Sequence, residues 1–383
     1  MKEYRLEELF DLQMGKTPSR NNPEYWTSED HKWISIGDLS KCGKYISETK
    51  EYLSDKAVEE SGISLIPEET VVMSFKLSIG KTAITAEPMY SNEAIMSFRD
   101  RHFVELLPDY VYYLLSGRDW DEGTNKAVMG KTLNKATLSK IKVKIHGIEQ
   151  QRDIVSVLDN VSSIITAHQQ QLAALDDLIK ARFVEMLKNE KTTPIKLKDI
   201  VEQNRIITYG MVKPGKDVPG GVIIIKVKDF PNGIVETGDF LHAEPLLEAK
   251  YERSRVKEGD LLYSIRGTVG RTAFVTKDLE GSNITQDTAR LSIARDRYNA
   301  NYIRYALGYD DVVRQIESQI KGVAMKGISL SELREIEIPC VKYDSQQAFG
   351  VFVEQVDKSK VAVQKALNEA QVLFDSLMQQ YFG

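Results

Sequence analysis

Eighteen residues from the first half of the chain return in order 190 positions later, and no other feature limits the fold as strongly. Residues 66–83 (IPEETVVMSFKLSIGKTA) align without a gap on residues 256–273 (VKEGDLLYSIRGTVGRTA). Gly80 meets Gly270, Lys76 meets Arg266, Lys81 meets Arg271, and Thr82-Ala83 recurs as Thr272-Ala273. Further on, residues 128–143 (VMGKTLNKATLSKIKV) resemble 323–338 (VAMKGISLSELREIEI), and Gln150-Gln151 returns as Gln346-Gln347. Chance supplies one such pair; an ordered series marks a duplication, so both halves must fold by one plan. The 383 residues suffice for about two to three domains.

Each half closes in a long helical pattern. Ile154, Leu158, Val161, Ile165, His168, Leu172, Leu175, Ile179, Arg182 and Met186 step by four and three in strict alternation, which is a heptad seam. Phe352, Val356, Ser359, Val363, Ala366, Ala370, Leu373, Leu377 and Gln380 repeat the pattern. Pro339 lies just upstream, and Asp344 with Gln347 three residues later resembles a capping box. A lone helix of this length has no core, so each seam needs a partner. The helix of the other half is the obvious one, and Ala366 and Ala370 permit close approach. His168 and Arg182 on the first seam either set its register or face a partner subunit.

The segments before the helices alternate short β-branched runs with Gly, Pro and Asn clusters, as strand-rich mixed domains do. Short helices are expected at 110–115 and 302–307. The expected organisation is a domain at 1–147, a long helix at 148–189, a second domain at 190–342 and a second helix at 343–383. The fold class is α+β: two mixed α/β domains related by a pseudo-twofold axis, separated by two long helices in an antiparallel coiled coil.

Enzyme signatures fail one after another. Gly-Lys-Thr occurs at Gly15, Gly80 and Gly130, but the position five residues earlier holds Phe10, Phe75 or Asn125 rather than the glycine of a phosphate loop. No G-x-G exists for a dinucleotide or methyl-donor loop. The five histidines have no zinc-ligand spacing, no serine sits in a G-x-S-x-G elbow, and Pro108-Asp109 lacks the acidic-x-Lys of a nuclease cluster. Cys42 and Cys340 are too few and too far apart for a disulfide framework. With 42% apolar residues, no run of about 18 of them and a charged N-terminus unlike a signal peptide, a soluble cytoplasmic chain is expected. The net charge of −5 does not exclude DNA, because phosphate attraction depends on where the cations cluster.

The layout resembles the specificity (S) subunit of Type I restriction–modification systems over essentially the whole chain. The resemblance rests on Gly15-Lys16-Thr17-Pro18-Ser19 followed by Glu24-Tyr25-Trp26 and Trp33-Ile34-Ser35-Ile36-Gly37-Asp38. It extends to the paired Gly-Lys/Arg-Thr-Ala turns, to Leu133-Asn134 ahead of Glu149-Gln150-Gln151, and to the helix ending at Leu175–Phe183. The second half departs at its start, where Tyr209-Gly210-Met211-Val212-Lys213-Pro214 replaces the Thr-Pro-Ser and Tyr-Trp motifs. The resemblance implies a non-catalytic subunit of a phage-defence complex. Each globule is then a target-recognition domain reading one half of an asymmetric bipartite site in double-stranded DNA. The helices act as a ruler and dock two modification (methyltransferase) subunits. S-adenosylmethionine, ATP and magnesium belong to those and to a restriction/translocase subunit, and this chain binds no cofactor. A coiled-coil adaptor binding only proteins is the alternative. Gly267-Thr268-Val269-Gly270 suggests an RNA-binding G-x-x-G loop, but such a loop joins two helices and this one lies between strand-like runs.

The turns Lys76–Lys81 and Arg266–Arg271 set two cations around small residues and a glycine, Ser78 in one and Thr268 in the other. Such a hairpin can approach DNA closely, its cations on phosphates or guanine edges, where arginine binds bidentately and lysine less selectively. Lys16, Thr17, Arg20 and Asn22 form a polar, basic stretch suited to a groove. Lys131, Asn134, Gln286, Lys321 and Lys326 complete the candidates. For Tyr25, Trp26 and Trp33, core packing is favoured over base contact.

Overall fold

The computed structural model describes residues 1–76, 78–118, 120, 133–231, 233–236, 238–322 and 326–383. The chain forms two compact units, Met1–Gln169 with Lys365–Gly383, and Gln170–Gln364. Each unit thus contains one globule and a segment of both long helices, Ile148–Asn189 and Tyr343–Phe382.

In the first unit a five-stranded sheet runs in the order Phe10–Met14, Ile95–Asp100, Val71–Ser74, Thr82–Thr85, Tyr45–Ile46. Its central strand is buried on both faces. Val71 and Met73 enter a core with Phe10, Phe98 and Tyr110, while Val72 enters another with Ile34, Ile46 and Ile95. That double burial explains a continuous apolar run where a half-exposed strand would alternate. A three-stranded sheet, Glu51–Leu53, His31–Ile34, Tyr90–Ser91, carries Trp33. Strand Lys2–Arg5 pairs antiparallel with Lys142–Ile145, Lys2 opposite Ile145, just before the chain enters the first long helix.

The second unit repeats the scheme. A four-stranded sheet runs Thr208–Tyr209, Thr288–Leu291, Leu261–Ser264, Thr272–Phe274. Leu261 and Tyr263 face one core and Leu262 another. Strand Thr193–Lys196 pairs with Glu337–Cys340 just before the second long helix. The expected short helices appear as Pro108–Ser116 and Ala300–Leu307. Their buried tyrosines are equivalent too: Tyr110 donates its hydroxyl to the Lys144 carbonyl at 3.4 Å, and Tyr302 to that of Pro339 at 2.6 Å.

One buried glutamine fixes the entry into each long helix. Gln151 accepts from the Leu107 amide at 3.0 Å and donates to the carbonyls of Glu105 (3.0 Å) and His146 (2.9 Å). Gln346 accepts from the Asn299 amide at 3.1 Å and donates to the Val341 carbonyl at 2.9 Å. Gln151 therefore matches Gln346, one position off the pairing that the Gln-Gln dipeptides suggest. The expected capping box also fails. The helix already begins at Tyr343, and the Gln347 carboxamide accepts from Asn299 Nδ2 at 2.7 Å instead of turning back.

The heptad seams hold in part. Ile154, Leu158, Val161, Ile179 and Met186 are buried, with Ile165, His168, Leu172 and Leu175 half-buried. Arg182 is exposed and paired with Glu185 at 2.7 Å. Phe183 turns inward in its place, its ring 5.3 Å from Tyr302 and 5.4 Å from Phe349. On the second helix Ser359, Leu373 and Gln380 are exposed, whereas Lys360, Phe374 and Met378 turn inward. A straight helix of 3.6 residues per turn drifts off a strict heptad by about 20° per repeat, so a stripe packed on a globule departs from it. Within the second unit Phe183 meets Phe349 and Asp176 meets Lys360 at 2.6 Å, so these helix segments run antiparallel. In the first unit Ile154 and Leu158 share a core with Phe374, Leu377 and Met378. No described helix is long and apolar enough to cross a membrane.

Candidate nucleic-acid interface

The repeated turns are built around a serine at the end of a buried strand. Ser264, fully buried, donates its hydroxyl to the Thr268 carbonyl at 2.6 Å and accepts from the Arg271 amide at 2.8 Å. Its backbone closes the loop, the amide donating to the Arg271 carbonyl at 2.9 Å and the carbonyl accepting from Gly270 at 3.1 Å. Ser74, equally buried, does the same. It donates to the Ser78 carbonyl, accepts from the Lys81 amide at 3.1 Å, and closes on Lys81 and Gly80 at 2.8 and 2.9 Å. Gly80 and Gly270 have φ of 88° and 101°, left-handed values that explain the glycine in both copies. The strands on either side make Gly267–Gly270 part of a hairpin, so the helix–loop–helix setting of an RNA-binding loop is absent here.

The clamp turns the candidate side chains away from the core. Ser78, Lys81 and Thr268 are exposed; Lys76, Arg266 and Arg271 are half-buried. None of the four cations forms an ion pair among the described residues, unlike Arg205, Arg255 and Arg20, which hold Asp260, Glu248 and Glu51. Unpaired guanidinium and ammonium groups on a tight turn can bind phosphate oxygens or the acceptor edge of guanine.

A second segment lines the turn in each unit. The Gly267 amide donates to the Lys326 carbonyl at 3.0 Å and the Ile328 amide to that of Ile265 at 3.0 Å, which sets exposed Lys326 beside Arg266. Lys321 lies on the same ladder but its ammonium is held by Glu332. In the first unit the Leu133 amide donates to the Phe75 carbonyl at 3.1 Å. Lys131 falls outside the described residues. Asn134 caps a short helix, accepting from the Thr137 amide at 2.8 Å. Half-buried Gln286 is joined to Met211 through its backbone amide at 2.9 Å.

The basic stretch near the N-terminus is more engaged than a free DNA-contacting arm. Lys16 donates to the Ser61 carbonyl, and Asn22 accepts from the Glu24 amide at 3.2 Å. Arg20 binds Glu51 at 3.0 Å and stacks 3.7 Å over Trp26. Trp33 is buried, edge-on to Trp26 at 5.0 Å, as core packing requires. Thr17 donates to Glu93, which the repeat did not single out. That hydrogen bond, with the nearby charges of Lys76 and Arg20, holds the Glu93 carboxyl below its usual range against a partial desolvation. Thr17, Arg20, Lys76 and Glu93 thus form one polar group. His168 and Arg182 lie apart from these turns on the first long helix, and His168 Nδ1 is buried without a partner among the described residues.

Solved structures share this fold. The chain matches, at a TM-score of 0.60 and 15% identity, a chain from a structure concerned with assembly and conformational transition of a type I R-M system, covering 100% of this chain and 97% of that one. It matches a Type I restriction-modification S subunit from M. genitalium at 0.53 and 15%, covering 100% and 96%. Among sequence relatives, the Type I restriction enzyme EcoBI specificity subunit of Escherichia coli is 22% identical over 90% of this chain and 77% of its own length. The MjaIX specificity subunit of Methanocaldococcus jannaschii is 22% identical over 98% and 90%. The profile of the Type I restriction modification DNA specificity domain matches twice, at residues 1–176 and 189–370. The chain belongs to that family, which sets aside the purely structural adaptor.

Proposed function

We propose that this chain gives a Type I restriction–modification complex its DNA sequence specificity, each unit reading one half of an asymmetric bipartite site. The observation that carries the reading is the doubled turn, in which the same buried serine clamps the same loop and two cations stand without an ion pair among the described residues. Duplicated readers of unequal side chains suit two unequal half-sites, Lys76, Ser78 and Lys81 for one, and Arg266, Thr268 and Arg271 for the other. Catalysis belongs to partner subunits: two modification subunits docked along the long helices with S-adenosylmethionine, and a restriction/translocase subunit using ATP and magnesium. His168 and Arg182 are candidate helix positions for that docking.

Gel shift of genomic fragments with the chain plus its methyltransferase partner tests the proposal. A discrete set of fragments should shift and acquire methyl groups, while the isolated chain transfers none. Uniform binding of all fragments, or robust methyl transfer by the chain alone, contradicts it.

A further inference from the structure

Glu93 and Gln286 occupy the same place in the two units, although the sequence repeat does not align them. The Phe75 amide donates to the Ala94 carbonyl at 3.0 Å, and the equivalent Ile265 amide to that of Asp287 at 2.8 Å. The Lys16 amide donates to the Ser91 carbonyl at 2.8 Å, and the Met211 amide to that of Ile284 at 2.7 Å. A side chain on Gly15 would strike the Ser91 carbonyl, and one on Gly210 that of Ile284, so the same close crossing recurs. Two residues lie between these fixed points in each unit, and Glu93 and Gln286 are the second of them, directly before Ala94 and Asp287. Each stands beside the first cation of its turn, Lys76 or Arg266.

We infer that this position reads a base in each half-site, and that Glu93 selects cytosine in the half-site read by the first unit. The inference rests on the DNA-reading function proposed above. An ionised carboxylate only accepts hydrogen bonds. Thr17 donates to one oxygen, Oε2, and the exposed carboxylate, with about four lone-pair sites on its two oxygens, keeps acceptor capacity for an exocyclic amine. Cytosine itself presents only its N4 amine as a polar group in the major groove, whereas adenine sets N7 next to N6, where its lone pair would oppose the carboxylate. The guanine of the same pair presents O6 and N7, acceptors suited to the Lys76 ammonium. Gln286, with a donor and an acceptor on one carboxamide, matches the N6/N7 edge of adenine instead. At this position the two half-sites then differ because one carboxylate is replaced by one amide.

The test is methylation mapping in cells that express the full chain with its methyltransferase partners, as wild type, Glu93→Gln and Glu93→Ala. The half-site that changes on Lys76→Ala identifies the first unit. The wild-type half-site should contain a G·C pair at which Glu93→Gln lowers the preference for cytosine over adenine roughly tenfold or more. Glu93→Ala should make that position degenerate without favouring adenine, and the other half-site should stay unchanged in both. An unchanged motif in an active Glu93→Gln complex, or a first half-site without G·C, overturns the inference while leaving the proposed function intact. A wild-type complex that methylates no defined sequence overturns both. Circular dichroism of the purified variants separates a lost preference from a lost fold, and unfolding of both variants would assign Glu93 to structure and overturn the inference.

Discussion

Replacing Ser264 with alanine removes one oxygen and should disable one half-site. That oxygen makes two bonds, to the Thr268 carbonyl at 2.6 Å and from the Arg271 amide at 2.8 Å, in a residue with no exposed surface. Each net bond is worth about 1 kcal/mol, and a buried amide left without an acceptor costs about 1–3 kcal/mol more. Thr268 is exposed, so water can replace the serine at its carbonyl, whereas the Arg271 amide faces the vacated side. The turn should therefore lose about 2–3 kcal/mol of local stability. Strand pairing survives, because the Ser264 amide still donates to the Arg271 carbonyl at 2.9 Å. Affinity should fall for sites with the intact second half-site, while discrimination in the first stays unchanged. Ser74→Ala should give the mirror result. The assay is competition binding of the assembled complex to duplexes altered in one half-site at a time, with urea denaturation of the chain alongside. Unchanged stability and affinity in Ser264→Ala would show that the serine does not hold the turn.

Three further outcomes follow from the same geometry. Arg271→Ala should relax the second half-site by about 1–3 kcal/mol if a bidentate guanine contact is lost, with Arg271→Lys only partly restoring it; competition binding with substituted duplexes measures this. Gln151→Leu removes three bonds from a fully buried side chain, so urea denaturation should show a loss of about 2–4 kcal/mol. Gln151→Glu, which sets one carboxylate oxygen against two carbonyls, should be worse at neutral pH and improve as the pH falls and the carboxyl takes up a proton. One heptad inserted near Leu172 and another near Ala366 lengthens each helix by about 10.5 Å, or roughly 3 base pairs. Methylation mapping should then show unchanged half-sites and a longer spacer, with reduced affinity because three pairs also rotate the second half-site by about 100°.

What the sequence revealed depends on how locally each feature is encoded. The doubled turn was readable because the clamp, the glycine and both cations lie within one uninterrupted stretch. Ser74 and Ser264 stand in that alignment as polar residues inside apolar runs, a sign of a buried hydroxyl, but their partners are backbone atoms that composition does not name. Glu93 was hidden by a loop of unequal length. Ten positions separate it from Ala83, while thirteen separate Gln286 from Ala273, so the gapless match breaks before reaching it. The helices were legible as helices because apolar spacing encodes their period. Arg182, Ser359, Leu373 and Gln380 were misplaced on the seam because the globules, not the period alone, decide which stripe is buried. The one-position error at Gln346 has a similar origin: the dipeptide is repeated, but only one glutamine of each pair meets the strand end.

The central claim is that two copies of one turn read two separate half-sites. Methylation mapping of cells carrying the chain with the methyltransferase partners proposed for it, compared with Lys76→Ala and Arg266→Ala versions, tests it most directly. The account predicts a bipartite, asymmetric motif with an unread spacer, in which Lys76→Ala relaxes one half and Arg266→Ala the other. A single uninterrupted motif, or two substitutions that degrade the same half, would contradict it.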